Sequence, residues 1–263
     1  MLERGVRRVR GITVATIPAD SGELDGFGEG LHGEVVRPED PNYDETRAIW
    51  NGMIDRQPAL IVRAMGVSDV IAAVDAAREH DLRLAGCGGG HNIAGNAVCD
   101  DGLMLDLSAM RSVRVDPETK TARVEPGATL ADVDLETQAF GLATPLGINS
   151  TTGVAGLTLG GGFGWLTRTY GMTVDNLRGV DIVTADGTLR HASETENADL
   201  FWGLRGGGGN FGVVTSFEFD LHEVGPEVLS GPVVYAGADA PDVLRHVRDF
   251  NEEAPEEAAV WIV

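Results

Sequence analysis

A glycine run that ends in a histidine, Gly86-Cys87-Gly88-Gly89-Gly90-His91-Asn92-Ile93-Ala94-Gly95, carries the densest chemistry in this chain. Glycine has no Cβ, so its backbone can press N–H groups against an anion, and several in a row make an anion-accepting cradle. Two further clusters follow, GVAGLTLGGGFG over residues 153–164 and GGGGNFG over 206–212. Lys120 is the only lysine, so phosphates would be held by peptide N–H groups and hydroxyls, which Thr151-Thr152-Gly153 and Gly160-Gly161-Gly162 offer. Each cluster alone is compatible with tight turns. Together the three point to one large, phosphate-bearing organic cofactor. His91 adds a nucleophile, because a neutral imidazole nitrogen can bond a reactive carbon near neutral pH.

The elements that must position these residues read as short strands mixed with helices. Ala48, Ile49, Trp50, Met53 and Ile54 fall at helical spacing and predict a helix from about Thr46 to Pro58. A buried strand over 59–63 follows, then a helix over 68–80 with Ser68 as its N-cap. A strand over 82–85 delivers the chain into the first glycine cradle, and another covers 103–107. Strands at 113–115 and 122–124 flank Asp116-Pro117-Glu118-Thr119 and read as a hairpin. Thr129 with Asp132 forms a capping-box pattern for a helix that Gly141 should stop. Later strands cover 180–184 and 213–219. This is α+β rather than alternating βαβ. The match Gly207-x-Gly209-x-x-Gly212 is not a nicotinamide-type fingerprint, because a helix precedes it and a strand follows, the reverse of the required order.

Composition bounds the rest. The 263 residues suffice for one large or two smaller domains, and 43% hydrophobic content argues against general disorder. A net charge of −21 argues against nucleic-acid binding, and acid excess with lysine loss is what a surface suited to high salt looks like. No apolar run reaches the ~20 residues of a membrane span. Arg7-Arg8 is followed only by the short apolar stretch 12–17, a weak export signal, so a reducing cytoplasm is the expected compartment. Cys87 and Cys99 make no disulfide framework or CxxC pair, and no His/Asp/Glu cluster has metal-ligand spacing. Residues 1–44 show no sustained period and read as a mobile lead-in. Residues 226–263 read as strand, helix and the first residues of another strand with no sheet to join, so the chain is expected to be cut inside its second domain.

PALIV (58–62), GGGHNIAGNAV (88–98), PGATLADVD (126–134), STTGVAGLTLGGGFGWLTRTYGMTVDNL (150–177) and FWGLRGGGGNFGVVTSFEF (201–219) together resemble the FAD-linked oxidases, specifically the berberine-bridge-enzyme-like branch of the vanillyl-alcohol-oxidase superfamily. The resemblance covers residues 45–225. It implies an α+β, two-lobed PCMH-type FAD-binding domain (lobes 45–110 and 111–225), with 226–263 as the start of an antiparallel-sheet substrate domain. It also implies that Gly88, Gly89, Gly90, His91 and Asn92 form the pyrophosphate loop, with His91 bonded to the 8α-methyl of the flavin. Gly153, Gly156, Gly160, Gly161 and Gly162 would form a second cradle with Gly147, Thr151 and Thr152, and Val213 and Val214 would lie beside the nucleotide end. Asn149 stands where some members carry a second, cysteinyl flavin link, so a double link is not expected. Cys87 stands where family loops usually have arginine, and a thiol cannot make that residue's charge-assisted contacts. Trp165, Tyr170 and Trp202 read as core, and the histidines other than His91 as solvated or capping. The activity implied is hydride transfer from a C–H beside oxygen or nitrogen of a small molecule, such as an alcohol or sugar, to flavin N5, with dioxygen or another acceptor taking the electrons. The alternative is a flavin-binding remnant without activity. The substrate domain would supply the general base, so no catalytic acid or base is named.

Overall fold

The computed structural model describes residues 27–262 and, ahead of them, the backbone of a hairpin between β1 (Val6–Val9) and β2 (Ile12–Ala15). The remaining positions of the expected lead-in lie outside the described residues. From residue 27 onward that expectation fails, because β3 (Glu34–Val36) joins a sheet and α1 (Tyr43–Thr46) buries Tyr43.

The first lobe is a four-stranded sheet in the order β3, β4 (Leu60–Arg63), β6 (Leu103–Asp106), β5 (Leu84–Cys87), with β4, β6 and β5 parallel and β3 antiparallel to β4. Its central strands are apolar over their first three residues, Leu60–Val62 and Leu103–Leu105, because both faces are covered there. Leu60, Val62, Leu103 and Leu105 face α2 (Val67–Glu79), while Ile61 and Met104 pack with Val36, Tyr43 and Val98. The β4–α2–β5 passage is a parallel crossover, with β6 inserted between its strands. Gly66, not Ser68, stands at the N-cap of α2. Asp69 in its first turn is 1% exposed and accepts from the main-chain N–H groups of His32 (2.9 Å), Gly33 (3.0 Å) and Met65 (2.9 Å). One carboxylate thereby staples the loop before β3 and the end of β4 to the helix.

The second lobe is an antiparallel sheet ordered β11 (Leu189–Ser193), β10 (Leu177–Val183), β12 (Val213–Asp220), β8 (Thr121–Val124), β7 (Val113–Asp116). Its inner face packs with α3 (Leu130–Gln138), α4 (Val154–Leu159) and α6 (Ala198–Leu204) around Val124, Leu130, Ile182, Phe201, Phe217 and Phe219. The capping box forms as read: Thr129 caps α3, its main-chain N–H donating to Asp132 at 2.8 Å. Gly141 ends the segment at φ +66°. A small pair, β9 (Leu142–Ala143) with β13 (His222–Glu223), closes the lobe, and α2 touches both β10 and β12 to join the lobes. The short α5 (Thr167–Tyr170) follows the second glycine cluster.

Two expected elements differ. Of the helix expected from Thr46 to Pro58 only Thr46 is helical, as the end of α1, and the rest is a loop, because its polar groups bond outward: Arg47 to Asp44, Asp55 and the Arg56 carbonyl, Trp50 N–H to the Gly90 carbonyl, and Asn51 to the Ile93 carbonyl. Beyond residue 225, α7 (Ala240–Glu253) forms as read, but 233–235 and 259–262 pair with no described strand. Arg168 holds the end of α7 through the Asn251 and Ala254 carbonyls, at 3.1 and 2.9 Å.

Candidate functional site

β4, β6 and β5 end side by side at Arg63, Asp106 and Cys87, which are register partners. The carboxyl ends of parallel strands are where open α/β sheets present ligand sites. Gly88–Asn92 leaves β5 at this edge. Among the described residues no acceptor takes the amide hydrogens of Gly88, Gly89, His91 or Asn92. These donors are partly exposed and point to an anion, as a pyrophosphate cradle requires.

The opposite wall is the entry to α4. A methyl built on Gly89 would lie 2.5 Å from Gly153 Cα, and one on Gly88 would lie 2.7 Å from the Pro126 carbonyl. The first two glycine clusters therefore lie backbone on backbone, a contact only glycine allows. Gly153 is fixed from behind by a bridge to Thr129, and Val154 N–H bonds the Ala128 carbonyl at 2.9 Å.

His91 sits at the seam. Its Nε2 is 3.0 Å from Thr151 Oγ1, and its ring stacks on Trp50 with centroids 5.2 Å apart at 22°. Thr151 in turn donates its hydroxyl to Asn149 Oδ1 at 2.9 Å, and the same oxygen accepts the Thr151 main-chain N–H at 3.1 Å. Asn92 caps its own turn, its Oδ1 accepting from Asn96 N–H. Beside the loop a cavity of about 350 Å³ opens between Thr46, Ile49, Trp50, Arg63 and Asp106. A larger opening, about 440 Å³, is lined by residues of both lobes, among them Gly66 and Val67 of the first and Arg123 and Thr215 of the second, and none of the expected site residues line it.

The remaining expected residues divide by what they touch. Gly90 adopts φ +67° and Gly161 and Gly162 adopt +105° and +71°, conformations that side chains rarely take. Gly147 packs on Leu130 and Leu157, and Gly162 on Thr173. Gly156 borders open space, Gly160 ends α4, and Thr152 holds Leu130 N–H through its carbonyl. The third cluster meets the assembly through α4, against which the turn Gly208–Phe211 packs, while Gly203 and Gly207 make room for the Phe211 ring. Val213 and Val214 face opposite sides of β12, and each side chain joins a different core.

Cys87 is 7% exposed, and burial, then the nearby Asp106 carboxylate, push its thiol up to about 12. It is a protonated, inert filler, and the guanidinium at this strand edge comes from Arg63, which pairs with Asp106 at 3.2 Å. Trp165 and Trp202 are not core: they are 52% and 79% exposed. Tyr170 stacks on His222, whose Nε2 contacts Asn176 Oδ1 at 2.6 Å, and His191 Nδ1 is 2.9 Å from Asp181 Oδ1. These two histidines are partnered after all. Sequence reasoning missed Trp50 as a site residue, since its spacing resembled a helix face. Among the described residues no group of three or more His, Cys, Asp or Glu could hold a metal, and no helix is long and apolar enough to cross a membrane.

The FAD binding domain family matches residues 58–193. (R)-6-hydroxynicotine oxidase of Paenarthrobacter nicotinovorans is 39% identical over 206 residues, 78% of this chain and 45% of that protein. The crystal structure of 6-hydroxy-D-nicotine oxidase from Arthrobacter nicotinovorans superposes with a TM-score of 0.84 at 36% identity, covering 88% of this chain and 51% of that one. Glucooligosaccharide oxidase from Acremonium strictum, an enzyme described with a 6-S-cysteinyl, 8α-N1-histidyl FAD, gives 0.70 at 36% identity, covering 73% and 41%. The chain spans about half the length of these relatives, or less.

Proposed function

The chain belongs to the FAD binding domain family, among the berberine-bridge-enzyme-like oxidases, and on that premise we propose that it is the flavin-holding part of an oxidoreductase acting on a small molecule. FAD, when bound, supplies a two-electron sink at flavin N5 for hydride from a C–H beside oxygen or nitrogen. The chain's own residues bind and orient it. The Gly88 and Gly89 amides, walled by Gly153, would take the pyrophosphate without any lysine. His91 would stand at the dimethylbenzene edge and form the covalent link, with Trp50 fixing its ring plane. The proposed substrate is an alcohol, sugar or amine, and the proposed electron acceptor is dioxygen.

One observation carries this reading: a loop with four unpaired amides is in backbone contact with a second glycine segment at Gly89 and Gly153, with an imidazole at their seam. The test is reconstitution of the 263-residue chain with FAD. The chain should retain yellow colour, keep it after denaturation, bleach anaerobically with an alcohol, sugar or amine, and recover in air. A colourless chain after FAD addition overturns the reading. A yellow chain that no substrate bleaches would be a flavin carrier, and the oxidoreductase part would fall.

A further inference from the structure

We infer that Asn149 and Thr151 are positioning residues that hold His91 in its Nε2–H tautomer, leaving Nδ1 as the bare, nucleophilic nitrogen. The direction of each hydrogen bond follows from the one before it. The Thr151 main-chain N–H can only donate, and it points at Asn149 Oδ1 from 3.1 Å. That fixes the Asn149 amide with its oxygen toward Thr151, since the flipped amide would set N–H against N–H. The Thr151 hydroxyl lies 2.9 Å from the same oxygen and must donate its one hydrogen there. Its oxygen can then only accept from His91 Nε2, 3.0 Å away, so Nε2 carries the proton. No other described group hydrogen-bonds the ring, and Nδ1 keeps its lone pair. Trp50 holds the ring plane while the relay sets the tautomer.

The consequence is a choice of nitrogen; this rests on the reading that FAD lies against His91. One C–H bond of the flavin 8α-methyl breaks and a C–N bond to Nδ1 forms. The methyl proton and then the Nε2 proton leave to water. The two electrons pass into the flavin ring and on to dioxygen, which with two protons becomes hydrogen peroxide. Asn149 thus has a role at the very position where a cysteine would make a second flavin bond.

The experiment is ¹⁵N NMR of the full chain labelled at histidine, made under riboflavin starvation and recorded where the ring is neutral. The His91 signals are assigned by their loss in His91→Asn. The parent should show a pyrrole-type Nε2 and a pyridine-type Nδ1. Asn149→Ala frees the Thr151 hydroxyl to donate into Nε2, and Thr151→Val deletes the acceptor. Each should lower the Nε2–H to Nδ1–H ratio roughly fivefold, the worth of one ordinary hydrogen bond. Asn149→Asp and Thr151→Ser keep the needed acceptors and should restore it. Thr151 is exposed, so these substitutions leave the core untouched. Added FAD should become covalent, by fluorescence in denaturing gels, measurably but less than about threefold more slowly in the two disabling variants, because the rate follows the fraction of rings with bare Nδ1, and at the parent rate in the two rescuing ones. A parent chain with Nδ1–H dominant, variants with an unchanged ratio, or flavin bonded through Nε2 would overturn the inference. The expected tautomers in a chain that retains no FAD would uphold the relay and overturn the flavin assignment instead.

Discussion

Replacing Gly89 by alanine puts a methyl group 2.5 Å from Gly153 Cα, where carbon atoms ordinarily stand about 3.5–4.0 Å apart. Both neighbours are main chain, so no side chain can swing aside, and the two segments must part by roughly 1 Å. Gly153 cannot retreat easily, because Thr129 and Ala128 hold it from behind. Forced overpacking of this kind costs about 1–3 kcal/mol. If the strain is relieved by opening the cradle, it appears as a loss of FAD affinity between roughly fivefold and a hundredfold. If the cradle stays shut, it appears as a Tm lowered by about 2–10 °C. Titration of FAD by quenching of its fluorescence, with thermal unfolding of the flavin-free chain, separates the two. Gly86→Ala is the control, three residues earlier, on the strand that leads into the loop, where a methyl group meets no atom within 4 Å. Parent-like affinity and Tm for Gly89→Ala, or equal damage from Gly86→Ala, would refute the backbone-contact argument.

Asp69→Ala strands three main-chain donors around a buried site and should cost about 3 kcal/mol or more, read from denaturant midpoints; a loss below 1 kcal/mol would show that water replaces the carboxylate. The Asp132 carboxyl sits below its ordinary range: burial opposes its charge, but the Thr129 main-chain N–H, Arg111 and the Thr129 hydroxyl outweigh it. A depressed folded value stabilises above the unfolded value of about 3.9 and is lost as pH falls through the folded one. The stability gap between parent and Asp132→Asn, about 1 kcal/mol at neutral pH, should therefore narrow steadily below about pH 4, and a pH-independent gap would contradict the cap. Burial pushes the Cys87 and Cys99 thiols up to about 12 and about 11, so iodoacetamide at mild alkaline pH should label neither in the native chain and both after unfolding, by mass. Rapid native labelling of Cys87 would mean that the strand edge opens.

Local sequence chemistry determined a good deal of this protein. The Thr129–Asp132 cap, the stop at Gly141 and the hairpin around Asp116 need only neighbours a few residues away, so spacing alone revealed them. The glycine clusters were legible for a similar reason: positive φ and close approach are backbone demands that few other residues meet. Tertiary structure decided what those local signals left open. Residues 48–54 carry helical spacing, but Trp50 and Asn51 bond the distant glycine loop, and those long-range bonds outweigh a marginal helix. The strand expected at 233–235 lacks a ladder partner among the described residues, and a strand is defined by its neighbour. Whether Trp165 and Trp202 were core could not be read from hydrophobicity, because exposure depends on what packs against them. Above all, the pairing of Gly89 with Gly153, and of His91 with Thr151 sixty residues on, exists only once two lobes meet. Composition can supply donors and a nucleophile, but only chain closure sets which atoms face one another.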